Sequence, residues 1–285
     1  MNKNIQTFLA CESEYEDADV VLFGAPFDGT TSFRPGTRFG PSAIRGESFG
    51  IETYSPYSDR DLTECDIFDG GDLELPFGNT ERVLDMIYEY EKTVLDDGKK
   101  PVMLGGEHLV TLGAVRAVHE KYPDLKVIHL DAHTDLRTEY LGEELSHSTV
   151  LYHVWKLVGD NNIYQFGIRS GERYEFAFAK EHTKLHKFDL EGFKEAVAEL
   201  EGFPVYFTLD LDVLDPSVFC GTGTPEAGGV TYKELSDALM ELHKLNVVAC
   251  DINELSPHYD ASGASTAVAC KVTRELLLQI AEKRR

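Results

Sequence analysis

The chain has no C-x-x-C pair, no apolar tract long enough to span a bilayer, and little positive charge. Its five cysteines stand at positions 11, 65, 220, 250 and 270. An odd number at such wide spacings excludes a disulfide framework and a thiolate zinc site, and fits a reducing compartment. Against 50 Asp and Glu there are only 27 Lys and Arg, a formal net charge of −23 over 285 residues. A nucleic-acid binder needs a basic face to neutralise phosphates, and an anionic membrane surface would repel this chain, so neither is an expected partner. The same imbalance would concentrate a small cationic substrate. Between Met1 and Glu14 the only apolar patch is Phe8-Leu9-Ala10-Cys11, too short for a secretory h-region. A soluble, cytoplasmic protein is the expectation. Neither G-x-S-x-G nor a Cys–His signature of covalent catalysis occurs, so a nucleophile would have to come from elsewhere.

What the chain does have is an alternation of short β-rich runs with amphipathic stretches. The patterning predicts strands at Val20–Gly24, Cys65–Phe68, Pro101–Leu104, Val127–Leu130, Ile163–Gly167, Lys184–Lys187, Val205–Leu209 and Val247–Ile252. Helices are predicted at Pro41–Phe49, Thr80–Asp96, His108–Lys121, Ser146–Val158, Tyr174–Lys180, Leu190–Leu200, Tyr232–His243 and Ser265–Lys283. Several of the strands are apolar throughout, as strands covered on both faces are. Such alternation implies an α/β fold, a parallel sheet with helices on both sides; a closed eight-stranded barrel is the competing architecture. No repeat or linker interrupts the chain, so one domain over residues 1–285 is expected. The longest irregular stretches, Pro26–Gly40 and Asp215–Gly229, carry Gly, Pro and Thr, and long loops in compact domains are often functional. The last helix is expected to close on Glu-Lys-Arg-Arg at 282–285, with basic residues at the negative end of its dipole. The segment Tyr54 to Glu64 carries no legible signal.

Asp131-Ala-His133-Thr-Asp135 follows one strand-like run and Asp210-Leu-Asp212 follows another. If the backbone stays extended, the ligand-type side chains at i, i+2 and i+4 point to one face. Two bare carboxylates ~5 Å apart repel by roughly 3 kcal/mol at an effective dielectric near 20, so four of them at adjoining strand ends call for cations. Pro101–Leu104 runs into Gly105-Gly-Glu-His108, where the glycines permit a tight turn and bring His108 to a third strand end. The candidate metal ligands are therefore His108, Asp131, His133, Asp135, Asp210 and Asp212. This set is too rich in oxygen for structural zinc, and its imidazoles argue against calcium. Manganese, two Mn2+ per subunit, suits it best. Two such ions ~3.5 Å apart can hold one water and bring its pKa toward ~7, which would replace a Ser or Cys nucleophile.

These motifs resemble the ureohydrolase family, which includes arginases and agmatinases. Arg34-Pro-Gly-Thr-Arg-Phe-Gly-Pro-Ser-Ala-Ile-Arg45 is similar to the family's N-terminal segment, and Gly105–His108, Asp131–Asp135 and Thr208–Pro216 to its three metal motifs. Gly221-Thr-Gly-Thr-Pro225 with Gly228-Gly229, and Asp251-Ile-Asn-Glu-Leu-Ser-Pro257, resemble the signature loop and the Asp-x-x-Glu-x-x-Pro element. The resemblance implies a three-layer α/β/α sandwich around an eight-stranded parallel sheet, a homotrimer or homohexamer, and hydrolysis of a guanidinium to urea and an amine. It also implies site roles. Asp135 would pass a proton to the leaving amine, His147 would relay protons with solvent, Glu254 would hold the guanidinium, and Thr224 would support Glu254 and the substrate.

The loop Leu136–Ser146 should meet the far end of the substrate. It lacks the Asn and Ser groups with which arginases read an amino acid, and it offers Arg137, Tyr140, Glu143 and Glu144 instead. Glu143 and Glu144 could attract an ammonium or simply solvate the loop; Arg137 could pair with a carboxylate. Resemblance to agmatinase-like members favours agmatine, with 4-guanidinobutyrate, arginine or formimidoylglutamate as alternatives. Ser148 stands where many members carry Gly after the histidine. Two rivals lie outside this class. A single-zinc deacetylase would show tandem histidines before Asp-x-His, and a non-enzymatic scaffold would show degenerate ligands.

Overall fold

The computed structural model describes residues 6–283. Eight strands make the main sheet: β1 (Val20–Ala25), β2 (Ile67–Asp72), β3 (Lys100–Gly105), β4 (Lys126–Leu130), β5 (Ile163–Ile168), β6 (Lys184–Lys187), β7 (Pro204–Asp210) and β8 (Asn246–Asn253). They lie in the order β2-β1-β3-β8-β7-β4-β5-β6, and every neighbouring pair is parallel. The last two strands insert between β3 and β4 instead of closing the sheet, so β2 and β6 remain edges and the barrel alternative is ruled out.

The helices are α1 (Gly40–Glu47), α2 (Thr80–Asp96), α3 (Val110–Lys121), α4 (Val150–Val158), α5 (Arg173–His182), α6 (Phe193–Glu199), α7 (Tyr232–Leu239) and α8 (Ala264–Ile280). Strand side chains alternate between two cores. Val205, Phe207 and Leu209 pack with residues of α1, α6, α7 and α8; Tyr206 packs on the opposite side, with residues of α2, α3, α4 and α5. The result is the three-layer α/β/α sandwich, with the sheet buried between two helical layers. No helix among the described residues is long and apolar enough to cross a membrane.

Several boundaries differ from expectation for local reasons. Strand β2 continues past Phe68 through Asp69-Gly-Gly to Asp72, because buried Arg45 pairs with Asp69 at 2.8 Å. Helix α3 starts at Val110, not His108; the Glu107 amide is bound by the Phe27 carbonyl at 2.7 Å, which keeps His108 in the turn. Helix α8 stops at Ile280, so Glu282 and Lys283 lie beyond it, and Arg284 and Arg285 lie outside the described residues. The segment without a legible signal forms a small hairpin, Tyr54–Ser55 against Arg60–Asp61. It clasps α8 through Ser55 Oγ donating to Glu275 Oε2 at 2.6 Å and Arg60 Nη2 donating to the Ala281 carbonyl at 2.9 Å.

The topology places the site. Strands β3, β8, β7 and β4 are contiguous at the sheet's centre, and their C-terminal ends are level. Leu104 pairs with Ile252, Asn253 with Asp210, and Leu209 with Leu130. Four loops therefore leave the same edge side by side, the position where open parallel sheets bind ligands.

Candidate metal centre and catalytic cavity

Each metal motif is shaped by its own backbone. Asp210 Oδ1 accepts the Asp212 amide at 2.8 Å, and Asp131 Oδ1 accepts the His133 amide at 2.5 Å. These twin Asx turns bend the chain at the strand end and leave the other carboxylate oxygens pointing into the site. The expected extended run does not persist to Asp135, which takes φ of 53°. Left-handed backbone costs a non-glycine residue of order 1–3 kcal/mol and turns Asp135 back toward His108. Glu254 does the same with φ of 70°. The Gly105-Gly106 step also differs from expectation. Neither residue has positive φ; a Cβ on Gly106 would lie 2.0 Å from the Phe27 carbonyl oxygen, and one on Gly105 would lie 1.8 Å from Asn253 Oδ1. Close approach, not turn conformation, requires glycine there.

All six predicted ligands converge. His108 Nδ1 lies 3.0 Å from Asp131 Oδ2, 3.2 Å from Asp135 Oδ2 and 3.5 Å from Asp210 Oδ2. His133 Nδ1 lies 3.0 Å from Asp212 Oδ2 and 3.4 Å from Asp131 Oδ1. Two clusters thus share Asp131, one oxygen facing each histidine. The other ring nitrogen of His108 lies 2.9 Å from Thr208 Oγ1, so Nδ1 is the nitrogen aimed at three carboxylates.

The electrostatics fit a cation pair. Burial pushes Asp210 up, and the charges of Asp212 and Asp131 push it further. Asp135 rises to about 6, through burial and then Asp131. Glu254 is raised by burial, by Asp212 and by Glu107. Burial pulls His108 down, but Asp131, Asp135 and Asp210 overcome it and raise its pKa above the ordinary imidazole range. So many carboxylates cannot all ionise together unless positive charge lies among them. Oxygen-rich donors with two imidazoles fit two borderline divalent ions.

Sequence reasoning missed His129, which lies inside the predicted strand Val127–Leu130. The side chain is fully buried and its Nε2 lies 2.8 Å from Asp131 Oδ2. Its Nδ1 faces Gln165 Nε2 at 3.1 Å. That amide is oriented by donating to the Thr134 carbonyl at 2.9 Å and accepting from Thr183 Oγ1 at 3.0 Å. Gln165 therefore donates to Nδ1, and His129 donates its Nε2 proton to Asp131. Both nitrogens are engaged in hydrogen bonds, so His129 acts on the site by supporting the candidate ligand Asp131. The signal was its period-two spacing from Asp131.

Glu107 was also missed. It is fully buried and accepts from Thr30 N at 2.9 Å, Thr30 Oγ1 at 2.5 Å and Thr31 Oγ1 at 3.2 Å. Burial raises it to about 7 despite these donors. It clamps the loop after β1 against the site, and Thr30 in turn accepts the His147 amide at 3.0 Å.

A cavity of about 350 Å³ opens over the ligands and is lined by His147, Thr224 and Glu254 among others. Glu254 Oε1 accepts the His108 amide at 2.8 Å. Thr224 does not reach Glu254 as expected; its hydroxyl approaches Asp212 Oδ2 at 3.5 Å. Arg137, Tyr140, Glu172 and Glu175 line the cavity too, whereas Glu143 and Glu144 lie outside it.

The Arginase family matches residues 18–279. The chain belongs to the arginase family. It is 51% identical to an agmatinase of Bacillus subtilis over 96% of each chain, and 52% identical to an agmatinase of Bacillus anthracis over the same shares. The crystal structure of agmatine ureohydrolase of Thermoplasma volcanium is 33% identical and superposes with a TM-score of 0.88, covering 97% of this chain and 94% of that one. This arginase-family chain is an agmatinase-like ureohydrolase, a hydrolase of guanidino C–N bonds, and its central sheet has the arginase fold.

Proposed function

We propose that the chain hydrolyses agmatine to putrescine and urea with two Mn2+ held by His108, Asp131, His133, Asp135, Asp210 and Asp212. The observation that carries this reading is Asp131, whose two oxygens face His108 and His133 separately at 3.0 and 3.4 Å, as a bridging ligand would. When bound, the ion pair supplies the Lewis acidity that makes water a nucleophile at neutral pH.

The protein's own groups supply the rest. Glu254 offers a carboxylate to the planar guanidinium, which can donate two parallel N–H bonds to it. Hydrolysis moves both hydrogens of water onto the leaving nitrogen, so two proton transfers are needed. Asp135 Oδ2 is one carrier. His147 is the other, with a neutral ring at physiological pH because burial lowers its pKa to about 4.

Arg137 supports agmatine over a guanidino acid. Its charge is already met by Glu172 at 3.5 Å and Glu175 at 3.6 Å, and it lies over the Tyr140 ring at 4.5 Å, so among the described residues that line the cavity no Lys or Arg is left unpaired for a substrate carboxylate. Glu175 is buried and accepts Thr134 Oγ1 at 2.6 Å and the Glu172 amide at 2.7 Å. Glu172 is the more exposed partner and lines the cavity, which supports it as the group that meets the far ammonium in place of Glu143 and Glu144.

The test is urea release from a panel of agmatine, arginine and 4-guanidinobutyrate with added Mn2+. Agmatine should be preferred and arginine nearly inert; preference for either alternative would overturn the substrate and leave the reaction class standing.

A further inference from the structure

Directly beneath the ligands lies a second polar row across the sheet. His129 pairs in register with Thr208, and Thr208 with Asp251. Two residues further along each strand come Asp131, Asp210 and Asn253, so both rows point to the same face. Asp251 is fully buried and has no Lys or Arg partner among the ion pairs of the described residues. It is satisfied by neutral donors alone: Thr208 Oγ1 at 2.6 Å and Asn253 Nδ2 at 2.7 Å on Oδ1, Thr111 Oγ1 at 2.8 Å and the Tyr206 hydroxyl on Oδ2.

A carboxylate kept in a core without a counter-ion calls for a reason beyond stability. The chain of donors provides one. Thr208 has a single hydroxyl proton, and it goes to Asp251. Its lone pair must then accept, and the partner is His108 Nε2 at 2.9 Å. In the neutral form that binds a metal, the single ring proton of His108 is thereby fixed on Nε2 and the lone pair on Nδ1, the nitrogen facing Asp131, Asp135 and Asp210. We infer that Asp251 and Thr208 are positioning residues that set the tautomer and ring orientation of His108 for metal binding. Such outer partners commonly change metal affinity by roughly 10–100-fold.

The inference rests on the two-ion reading above, and the test separates the two. Mn2+ binding to the full chain is followed by EPR of the free ion, after chelator treatment, for wild type and for Thr208→Val, Thr208→Ser and Asp251→Asn. Thr208→Val and Asp251→Asn should weaken one of the two ions by roughly 10–100-fold and leave the other close to wild type. Thr208→Ser, which keeps the hydroxyl, should restore binding to within about threefold. If Thr208→Val fails to fold, Thr208→Ala takes its place. A wild-type chain that binds fewer than two ions overturns the site reading. Two ions bound normally by Thr208→Val, equal weakening of both, or a Thr208→Ser variant no better than Thr208→Val, overturns the positioning role.

Discussion

His147 holds its Nδ1 3.0 Å from the carbonyl oxygen of Thr30. A carbonyl only accepts, so Nδ1 carries the proton and Nε2 presents its lone pair, 3.4 Å from Ser32 Oγ at the cavity wall. His147→Asn should lower kcat by roughly 10²–10⁴-fold with a small change in KM, as loss of a general acid–base group does. The same burial makes a pH prediction. The folded-state pKa of about 4 lies below the ordinary 6.5, so the folded chain binds fewer protons than the unfolded one. The stability tied to the neutral ring is complete above pH 6.5 and is lost as pH falls toward 4, by up to about 3 kcal/mol. Denaturant unfolding at pH 7 and pH 4.5 should therefore show a steeper acid loss in wild type than in His147→Asn. Parallel losses would contradict a half-buried, neutral imidazole.

Asp212 serves the His133 cluster through Oδ2 at 3.0 Å and anchors the Ala132 amide through Oδ1 at 3.1 Å. Asp212→Ala should reduce bound Mn2+ from two ions to one. Several kcal/mol of transition-state stabilisation would go with it, on the order of 10³-fold in rate. Far-UV circular dichroism should barely change. Global unfolding would show instead that the metal is structural.

Glu254 binds the His108 amide with one oxygen, and an amide oxygen can replace that contact. Glu254→Gln should therefore keep both ions. It should cost about 1.5–3 kcal/mol of charged hydrogen bonding to the guanidinium, roughly 10–100-fold in kcat/KM for agmatine. Metal loss in this variant would assign Glu254 to the metal shell.

Glu172→Gln should raise KM for agmatine by up to about tenfold, discounted because the carboxylate is largely exposed. A guanidine of the same length without the terminal amine should be unaffected. An equal change for both substrates would remove Glu172 from ammonium recognition.

The cluster of candidate ligands was legible because metal chemistry concentrates Asp and His at strand ends, and strands announce themselves by apolar runs. The α/β alternation and the gathering of these residues at strand ends follow from that pattern; the choice of an open sandwich over a closed barrel came from the family resemblance. The supporting row was not read, because His129, Thr208 and Asp251 sit within the strands, where a polar residue looks like a satisfied core position. Its spacing of two from Asp131, Asp210 and Asn253 was the available signal. The Asp212 contact of Thr224 and the position of Glu143 and Glu144 outside the cavity were not legible for a different reason: loop residues are aimed by contacts distant in sequence, such as the Arg137 pairing with Glu172 and Glu175. Left-handed backbone at Asp135 and Glu254 was likewise hidden, since it comes from the surrounding packing and not from residue type alone.

Anomalous diffraction at the manganese edge, from crystals grown with Mn2+, tests the account most directly. Two peaks per chain are predicted, both touching Asp131, one beside His108 and the other beside His133. A single peak, or a pair that leaves Asp131 untouched, would contradict it.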